Sequence, residues 1–161
     1  MFARTERLML RPAWSEDGAM IAALASSERK IRDLFGGDGT CSLTAPCALD
    51  DCCHPDALPR MLVMKRTEGA PELIGMVGLS RNRTGDVELL CWIARPHRGQ
   101  GYGTEAAKAA LHMAEHGFRL ARITAPYRGR AGSFPDRLGF AGAELSFGET
   151  SDAEAIPAEA A

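Results

Sequence analysis

A glycine-rich turn between an apolar segment and a helix-forming segment constrains this chain more than any other feature. Residues 87–94 have the composition of a buried strand. Glycine alternates with other residues in the turn 98–103, and a helix is predicted from Gly103 to His116. Glycine lets the backbone approach a ligand closely, and the first turn of a helix has unpaired N–H groups. The order strand, glycine turn, helix therefore predicts an anion site, for which a diphosphate is the natural occupant.

Two well-known phosphate-binding loops do not fit this turn. It lacks the Gly-x-x-x-x-Gly-Lys-Ser/Thr spacing that cradles nucleoside triphosphates. It also lies too late in the chain for a dinucleotide-binding unit, which needs an acidic residue about 20 positions further on. Arg122 stands near that distance. Both classes of nucleotide site are disfavoured.

The pattern Arg-x-x-Gly-x-Gly from Arg98 to Gly103 resembles the acetyl-CoA loop of the GNAT superfamily of N-acetyltransferases. Further motifs, in the same order, resemble the branch of that superfamily that acetylates protein N-termini, including ribosomal ones. Its opening strand, third strand, fourth strand with pyrophosphate loop, and the Leu-Gly-Phe after its last helix are similar to residues 5–12, 73–79, 87–101 and 138–140. The resemblance covers most of residues 5–146.

This resemblance implies a fold and an activity. The expected fold is α/β (α+β), with a mixed, mostly antiparallel sheet of about six to seven strands, flanked by helices and splayed between strands 4 and 5. Residues 1–148 would form a single domain, and 149–161 a flexible tail. The expected activity is direct transfer of an acetyl group from acetyl-CoA to a primary amine, either a peptide N-terminus or a small molecule, without a metal.

The expected acetyl-CoA contacts fall into three groups. Backbone N–H groups of the glycine turn would hold the pyrophosphate, helped by the helix dipole. The resemblance implies that Ile93 and Ala94 offer backbone groups to the pantetheine arm. Arg128 is a candidate for a CoA phosphate, with a solvated arginine as the equal alternative. The turn residues in question are Arg98, Gly99, Gln100, Gly101, Tyr102, Gly103 and Thr104.

Glu88 is the candidate general base. By two-residue alternation it shares a strand face with Leu90 and Trp92, and a carboxylate among apolar residues is desolvated, which raises its pKa. In the resembling branch, a glutamate at the matching position faces the acceptor amine. The alternative is a structural carboxylate that pairs with an arginine or a neighbouring turn.

The chain departs from that branch where the CoA thiolate leaves. The branch usually has Asn-x-x-Ser and then a leucine or tyrosine, and here those positions hold Arg128, Ala131 and Pro135. Ser133 is a candidate acid for the thiolate, or only the cap of a short helix. A non-catalytic acyl-CoA-binding protein therefore stays as the alternative function.

Composition excludes several other classes of protein. The net charge of −2 and the pI near 6.1 give no basic field for nucleic acid or anionic membrane. No apolar run reaches the length of about 20 residues that a membrane span needs, and the first residues carry charge where a signal peptide would be apolar. A cytoplasmic protein, monomeric or homodimeric, is expected.

The five cysteines could indicate a metal-binding module. Four of them cluster ahead of His54, but the adjacent Cys52 and Cys53 lack the paired Cys-x-x-Cys spacing of zinc sites. Reduced thiols in a loop are the favoured interpretation, with no metal. Cys91 is expected to be a small core residue.

Several further elements are predicted from local patterns. Ser15 would cap a first helix, a second helix would span 28–35, and residues 36–59 would form a long loop. Residues 61–64 and 72–79 predict a hairpin. Further strands are predicted over 120–125 and 141–147.

Overall fold

The computed structural model describes residues 2–27, 58–81, 84–125, 134–141 and 144–147. Short 3₁₀ turns cover Ser15–Asp17 and Arg95–His97. The helices are α1 (Gly18–Ser27), α2 (Tyr102–His116) and α3 (Phe134–Arg137). The strands are β1 (Ala3–Arg4), β2 (Leu8–Arg11), β3 (Arg60–Lys65), β4 (Glu72–Arg81), β5 (Val87–Ile93), β6 (Arg122–Thr124) and β7 (Glu144–Ser146).

The strands form one seven-stranded sheet whose spatial order is the order of the chain. Every neighbouring pair is antiparallel except β5 and β6, which run parallel and share a single register pair, Glu88 with Thr124. From there towards Ile93, β5 has no strand on its β6 side within the described ranges. The predicted mixed, mostly antiparallel and splayed sheet is therefore confirmed. The predicted strands 4 and 5 are β5 and β6, because the two-residue β1 precedes them.

The two faces of the sheet are covered differently. α2 buries one side of its surface on the main core, and its many alanines let the helix axis approach the strands closely. Leu10, Val63, Ile74 and Leu89 meet it from four adjacent strands. On the opposite face, Ile21 of α1 packs on Leu62 and Met64 of β3. Glu88 lies on this second face, because Leu89 beside it in sequence faces α2.

The start of α1 differs from the prediction. Ser15 was expected to cap the helix, but it lies inside the 3₁₀ turn that precedes α1. The capping contact instead comes from Asp17, whose carboxylate accepts a hydrogen bond from the Trp14 N–H at 2.8 Å. The same carboxylate pairs with Arg11. The Ser15 prediction is wrong because a carboxylate further along the turn, held by an arginine from β2, takes the capping role.

The other local predictions have mixed outcomes. The 61–64 and 72–79 hairpin is confirmed as β3 and β4, and the long helix is confirmed as α2, with Gly117 as its C-cap. The strands predicted over 120–125 and 141–147 are present but shorter, as β6 and β7.

Several predictions fall outside the described residues. These are the helix over 28–35, most of the 36–59 loop with its cysteine cluster, Arg128, Ser133 and the tail 149–161. The single-domain boundary at 148 stays a prediction. None of the described helices is long and apolar enough to cross a membrane.

Candidate active site

The backbone of β5 turns alternate residues towards different neighbours. The Ala94 N–H donates to the Ile74 carbonyl of β4 at 2.8 Å, and Gly75 faces Ile93 in register. Since successive residues of a strand direct their N–H and C=O groups to opposite sides, those of Ala94 and Trp92 point to β4. The backbone groups of Cys91 and Ile93 therefore point into the gap that opens between β5 and β6 beyond Glu88 and Thr124. We call this gap the splay, and no described strand pairs with β5 there.

The strand end is tied to the glycine turn by Arg98. Its Nε donates to the Ile93 carbonyl at 2.6 Å, and its guanidinium lies 5.8 Å from the centre of the Trp92 ring. Ala94 is occupied differently, because its N–H serves Ile74 and its carbonyl accepts the His97 N–H at 2.9 Å. Of the two strand-end residues expected to contact the pantetheine arm, Ile93 directs its backbone groups into the splay, whereas the Ala94 N–H is used in the pairing of β5 with β4.

The glycine turn adopts the backbone conformation that its sequence predicts. Gly99 and Gly101 have φ of 75° and 83°, a region that L residues rarely adopt. Gly101 caps α2 and its carbonyl accepts the Glu105 N–H at 3.0 Å, so the helix starts at Tyr102. The N–H groups of the first turn are left without intrahelical acceptors. They lie next to the splay, because the turn follows directly from β5.

Residues 7–130 match the protein-family model described as the acetyltransferase (GNAT) domain. The chain belongs to this family. A search of curated proteins gave no match.

Solved structures support the GNAT fold over nearly the whole chain. A candidate GNAT-family acetyltransferase from Bordetella pertussis is 24% identical with a TM-score of 0.67, over 89% of this chain and 95% of that one. A candidate ribosomal-protein-serine acetyltransferase from Vibrio cholerae is 18% identical with a TM-score of 0.64, over 86% and 82%. Spermidine N-acetyltransferase from Vibrio cholerae, in complex with CoA and spermine, is 24% identical with a TM-score of 0.55, over 75% and 71%. At these identities the likeness shows the fold.

In this GNAT domain a row of polar side chains crosses the sheet on the face opposite α2. Ser80, Glu88, Thr124 and Glu144 are successive register partners on β4, β5, β6 and β7. Register partners share a face of the sheet. Glu88 is half-buried, and within the described part of the chain its carboxylate has no hydrogen bond or ion pair. The candidate base Glu88 therefore lies in this row of polar side chains, where the splay begins.

Trp92 lies on the same face as Glu88, nearer the glycine turn. It is 8% exposed, and its indole Nε1 is a buried donor for which the described residues provide no hydrogen-bond partner. Buried donors are nearly always paired, so such a group calls for an explanation. A ligand oxygen on this face would satisfy it.

Cys91 is the one cysteine among the described residues, and its thiol is unreactive. Its thiol contacts the Gly103 carbonyl at 3.6 Å and packs against the α2 core. Burial raises its pKa to about 12. The thiol therefore stays protonated at neutral pH and is a poor nucleophile. The expectation of a small core residue is confirmed.

Gly75 opposes Ile93 so closely that a side chain there would displace the strand end. A Cβ at Gly75 would lie 2.2 Å from the Trp92 carbonyl oxygen and 2.9 Å from Ile93 Cδ1. Overpacking of this kind destabilises by about 1–3 kcal/mol. We expect Gly75→Ala to lower the unfolding free energy in urea by that amount. Gly69→Ala is the matched control, since a Cβ there meets nothing within 4 Å. Equal stability of the two variants would contradict the close approach.

The role of one pair of residues next to the turn is not predicted by any local sequence pattern. Arg7 belongs to the segment 5–12 that resembles the opening strand of the family, and it contacts Glu105 in the first turn of α2. The two residues are 98 positions apart, so no local pattern joins them. The available signal was chemical: an acid beside a predicted diphosphate site needs a cation to neutralise it.

Proposed function

We propose that this protein is an acetyl-CoA-dependent N-acetyltransferase that acetylates a primary amine directly. The observation that carries the proposal is the meeting of two sets of backbone groups that lack a strand or helix partner within the described residues. The backbone groups of Cys91 and the Ile93 N–H on the edge of β5 face the splay, while the Ile93 carbonyl accepts from Arg98. The first-turn N–H groups of α2, which have no intrahelical acceptors, lie beside them. An extended amide-bearing arm fits the first set and a diphosphate fits the second. Acetyl-CoA carries both in one molecule.

The chemistry assigned to this site needs one base and no covalent enzyme intermediate. The Glu88 carboxylate, directly or through water, accepts a proton from the ammonium form of the acceptor. The amine nitrogen then attacks the thioester carbonyl carbon, a C–N bond forms and the C–S bond breaks. Backbone N–H groups of the splayed edge stabilise the developing oxyanion. As the CoA thiolate leaves, the nitrogen gives up its second proton and the thiolate takes up one proton, so the proton first accepted by Glu88 is the one finally released to solvent.

The group that protonates the thiolate is proposed from the sequence alone. Ser133 is that candidate, and Arg128 is the candidate contact for a CoA phosphate. Both lie outside the described residues. The direct mechanism also agrees with the state of Cys91, whose protonated thiol is unsuited to forming an acyl-enzyme.

The acceptor is proposed to be the α-amine of a peptide or a small primary amine. Motifs shared with the protein N-terminal branch favour a peptide, and the orphan Trp92 indole N–H on the Glu88 face suits an acceptor that carries an oxygen. A candidate ribosomal-protein-serine acetyltransferase and a spermidine acetyltransferase share this fold, so both classes belong in the test.

Calorimetry with acetyl-CoA, followed by an assay of CoA release with N-terminal peptides and small amines, tests this proposal. Binding with amine-dependent release of CoA is the expected result. Binding without release on any amine would support a non-catalytic acyl-CoA-binding protein instead. Absence of binding would overturn the assignment of the glycine turn and the splay.

A further inference from the structure

One guanidinium from the N-terminal hairpin contacts the glycine turn and the helix that follows it. Nε of Arg7 donates to Glu105 Oε2 at 2.7 Å, and Nη2 lies 2.7 Å from the same oxygen. Nη1 donates to the Gln100 carbonyl at 2.9 Å, inside the turn. The plane of the guanidinium covers the Tyr102 ring, with 4.5 Å from Cζ to the ring centre. Arg7 therefore contacts three points along six residues of the turn and helix start.

Glu105 is held from several directions at once. Besides the Arg7 side chain, its Oε1 accepts hydrogen bonds from the Arg7 N–H at 2.9 Å and from Thr5 Oγ1 at 2.5 Å. Burial on its own raises the pKa of the Glu105 carboxyl, but the hydrogen bonds from Thr5 and Arg7 outweigh it and hold the pKa below its usual value. The carboxylate thus stays ionised and fixed.

The position of this carboxylate gives the contact a consequence for ligand binding. Glu105 lies in the first turn of α2, where the helix dipole favours an anion and where the proposed diphosphate also binds. An uncompensated carboxylate there would repel the ligand. Arg7 neutralises this charge, and together with Thr5 it holds the carboxylate on the β1–β2 side.

The same contact restrains the shape of the turn. A Cβ at Gly101 would lie 3.3 Å from Arg7 Nη2, so the guanidinium is seated directly against the capping glycine. With Gln100 O bonded to Arg7 and Gly101 O bonded to the Glu105 N–H, two successive carbonyls of the turn are fixed. The peptide planes that carry the neighbouring N–H groups are then fixed as well.

We propose that Arg7 is a positioning residue for the diphosphate of acetyl-CoA, acting through Glu105 and the Gln100 carbonyl. This inference rests on the proposed function, and it assigns a role to a residue that does not itself contact the ligand. Preorganised N–H groups bind an anion without first being ordered, so loosening the contact lowers affinity for the diphosphate specifically. The effect comes from geometry more than charge, because the Arg7 side chain is 43% exposed and its field is screened by solvent.

The test compares two acetyl donors, acetyl-CoA and S-acetylpantetheine, which lacks the diphosphate. Their dissociation constants are measured by NMR titration for the wild type, Arg7→Met and Arg7→Lys. Lysine keeps the charge but cannot make the forked contact with Glu105 and Gln100 O together. We expect both variants to weaken acetyl-CoA about tenfold, the scale of one charge-assisted hydrogen bond, and to leave S-acetylpantetheine within twofold. Arg4→Met on the same hairpin is the control, since Arg4 is exposed.

The outcomes separate this inference from the proposed function. Wild-type protein that binds neither donor would overturn the proposed function. If the wild type binds both, an Arg7→Lys variant with unchanged affinity for acetyl-CoA overturns the positioning role. So does an Arg7→Met variant that loses affinity for both donors equally, because that pattern is general destabilisation.

Discussion

Replacing Glu88 with glutamine should lower kcat for amine acetylation by at least about 100-fold, the lower bound of what a general base contributes. Glutamine keeps the size of the side chain but cannot accept the ammonium proton. The dissociation constant for acetyl-CoA should stay within twofold of the wild-type value. Glu88 lies near the beginning of β5, and the glycine turn follows the far end of that strand. Single-turnover release of CoA and calorimetry with acetyl-CoA measure the two quantities separately.

Glu144→Gln is the matched control for this prediction. Glu144 belongs to the same cross-strand row as Glu88 but lies two strands away and is exposed. We expect the Glu144 variant to retain turnover. A large loss in Glu144→Gln with none in Glu88→Gln would move the base to β7. Undiminished turnover in both variants would remove general-base catalysis by this row.

The pH profile of kcat/KM distinguishes a general base from a residue that only shapes the row of polar side chains. If Glu88 accepts the proton, the kcat/KM profiles of the wild type and Glu88→Gln should differ in shape on the acid side, because only the acceptor amine is left to lose a proton in the variant. A variant with the same acid limb at a lower plateau would show that Glu88 shapes the site without titrating in the reaction.

The parts of the site that were predictable from sequence are those that local chemistry determines. An apolar strand, alternating glycines and an amphipathic helix follow one another directly, so 87–116 could be assigned without tertiary information. The φ values of Gly99 and Gly101 and the start of α2 at Tyr102 agree with that assignment. The same alternation placed Glu88 and Trp92 on one face of β5.

The parts that were missed depend on contacts between distant segments. The contact between Arg7 and Glu105 requires the turn between β1 and β2 to lie against the start of α2, and no spacing rule encodes that. The loss of the capping role by Ser15 has the same origin. Serine is a good local cap, but Asp17 receives an arginine from β2 and becomes the stronger acceptor.

The second large prediction concerns this arginine, Arg11: removing its carboxylate partner Asp17 should lower the stability of the fold. Arg11 donates Nη1 to Asp17 Oδ2 at 2.6 Å and Nη2 to Oδ1 at 2.7 Å, and the two residues are 6% and 1% exposed. Asp17→Asn leaves a buried guanidinium without its counter-charge. Breaking a buried pair in this way costs about 3–5 kcal/mol. We expect the unfolding free energy in urea to fall by that order, whereas Glu16→Gln, next in sequence and exposed, should change it by less than about 0.5 kcal/mol.

The pH dependence of stability follows from the same pair. The hydrogen bonds from Arg11 hold the pKa of the Asp17 carboxyl below its usual value against the opposing effect of burial, and the Trp14 N–H adds to them. A carboxyl whose pKa is lower in the folded state stabilises fully above its unfolded pKa of about 4 and loses that contribution as the pH falls through the folded value. The wild type should therefore lose stability below about pH 4 more steeply than Asp17→Asn. Parallel acid limbs in the two proteins would show that the pair contributes nothing to folding.

The consequence of this pair extends to the candidate site. Arg11 is the last residue of β2, and its side chain is on the face of the sheet that α1 covers. Asp17 is the residue immediately before α1. The pair therefore sets where α1 starts over the sheet, and Ile21 then packs on Leu62 and Met64. Trp92 lies on that same face, in register with Met76 and through it with Leu62. An Asp17 variant that still folds should consequently raise the KM for the amine acceptor more than the dissociation constant for acetyl-CoA, since the glycine turn lies against the opposite face, on α2.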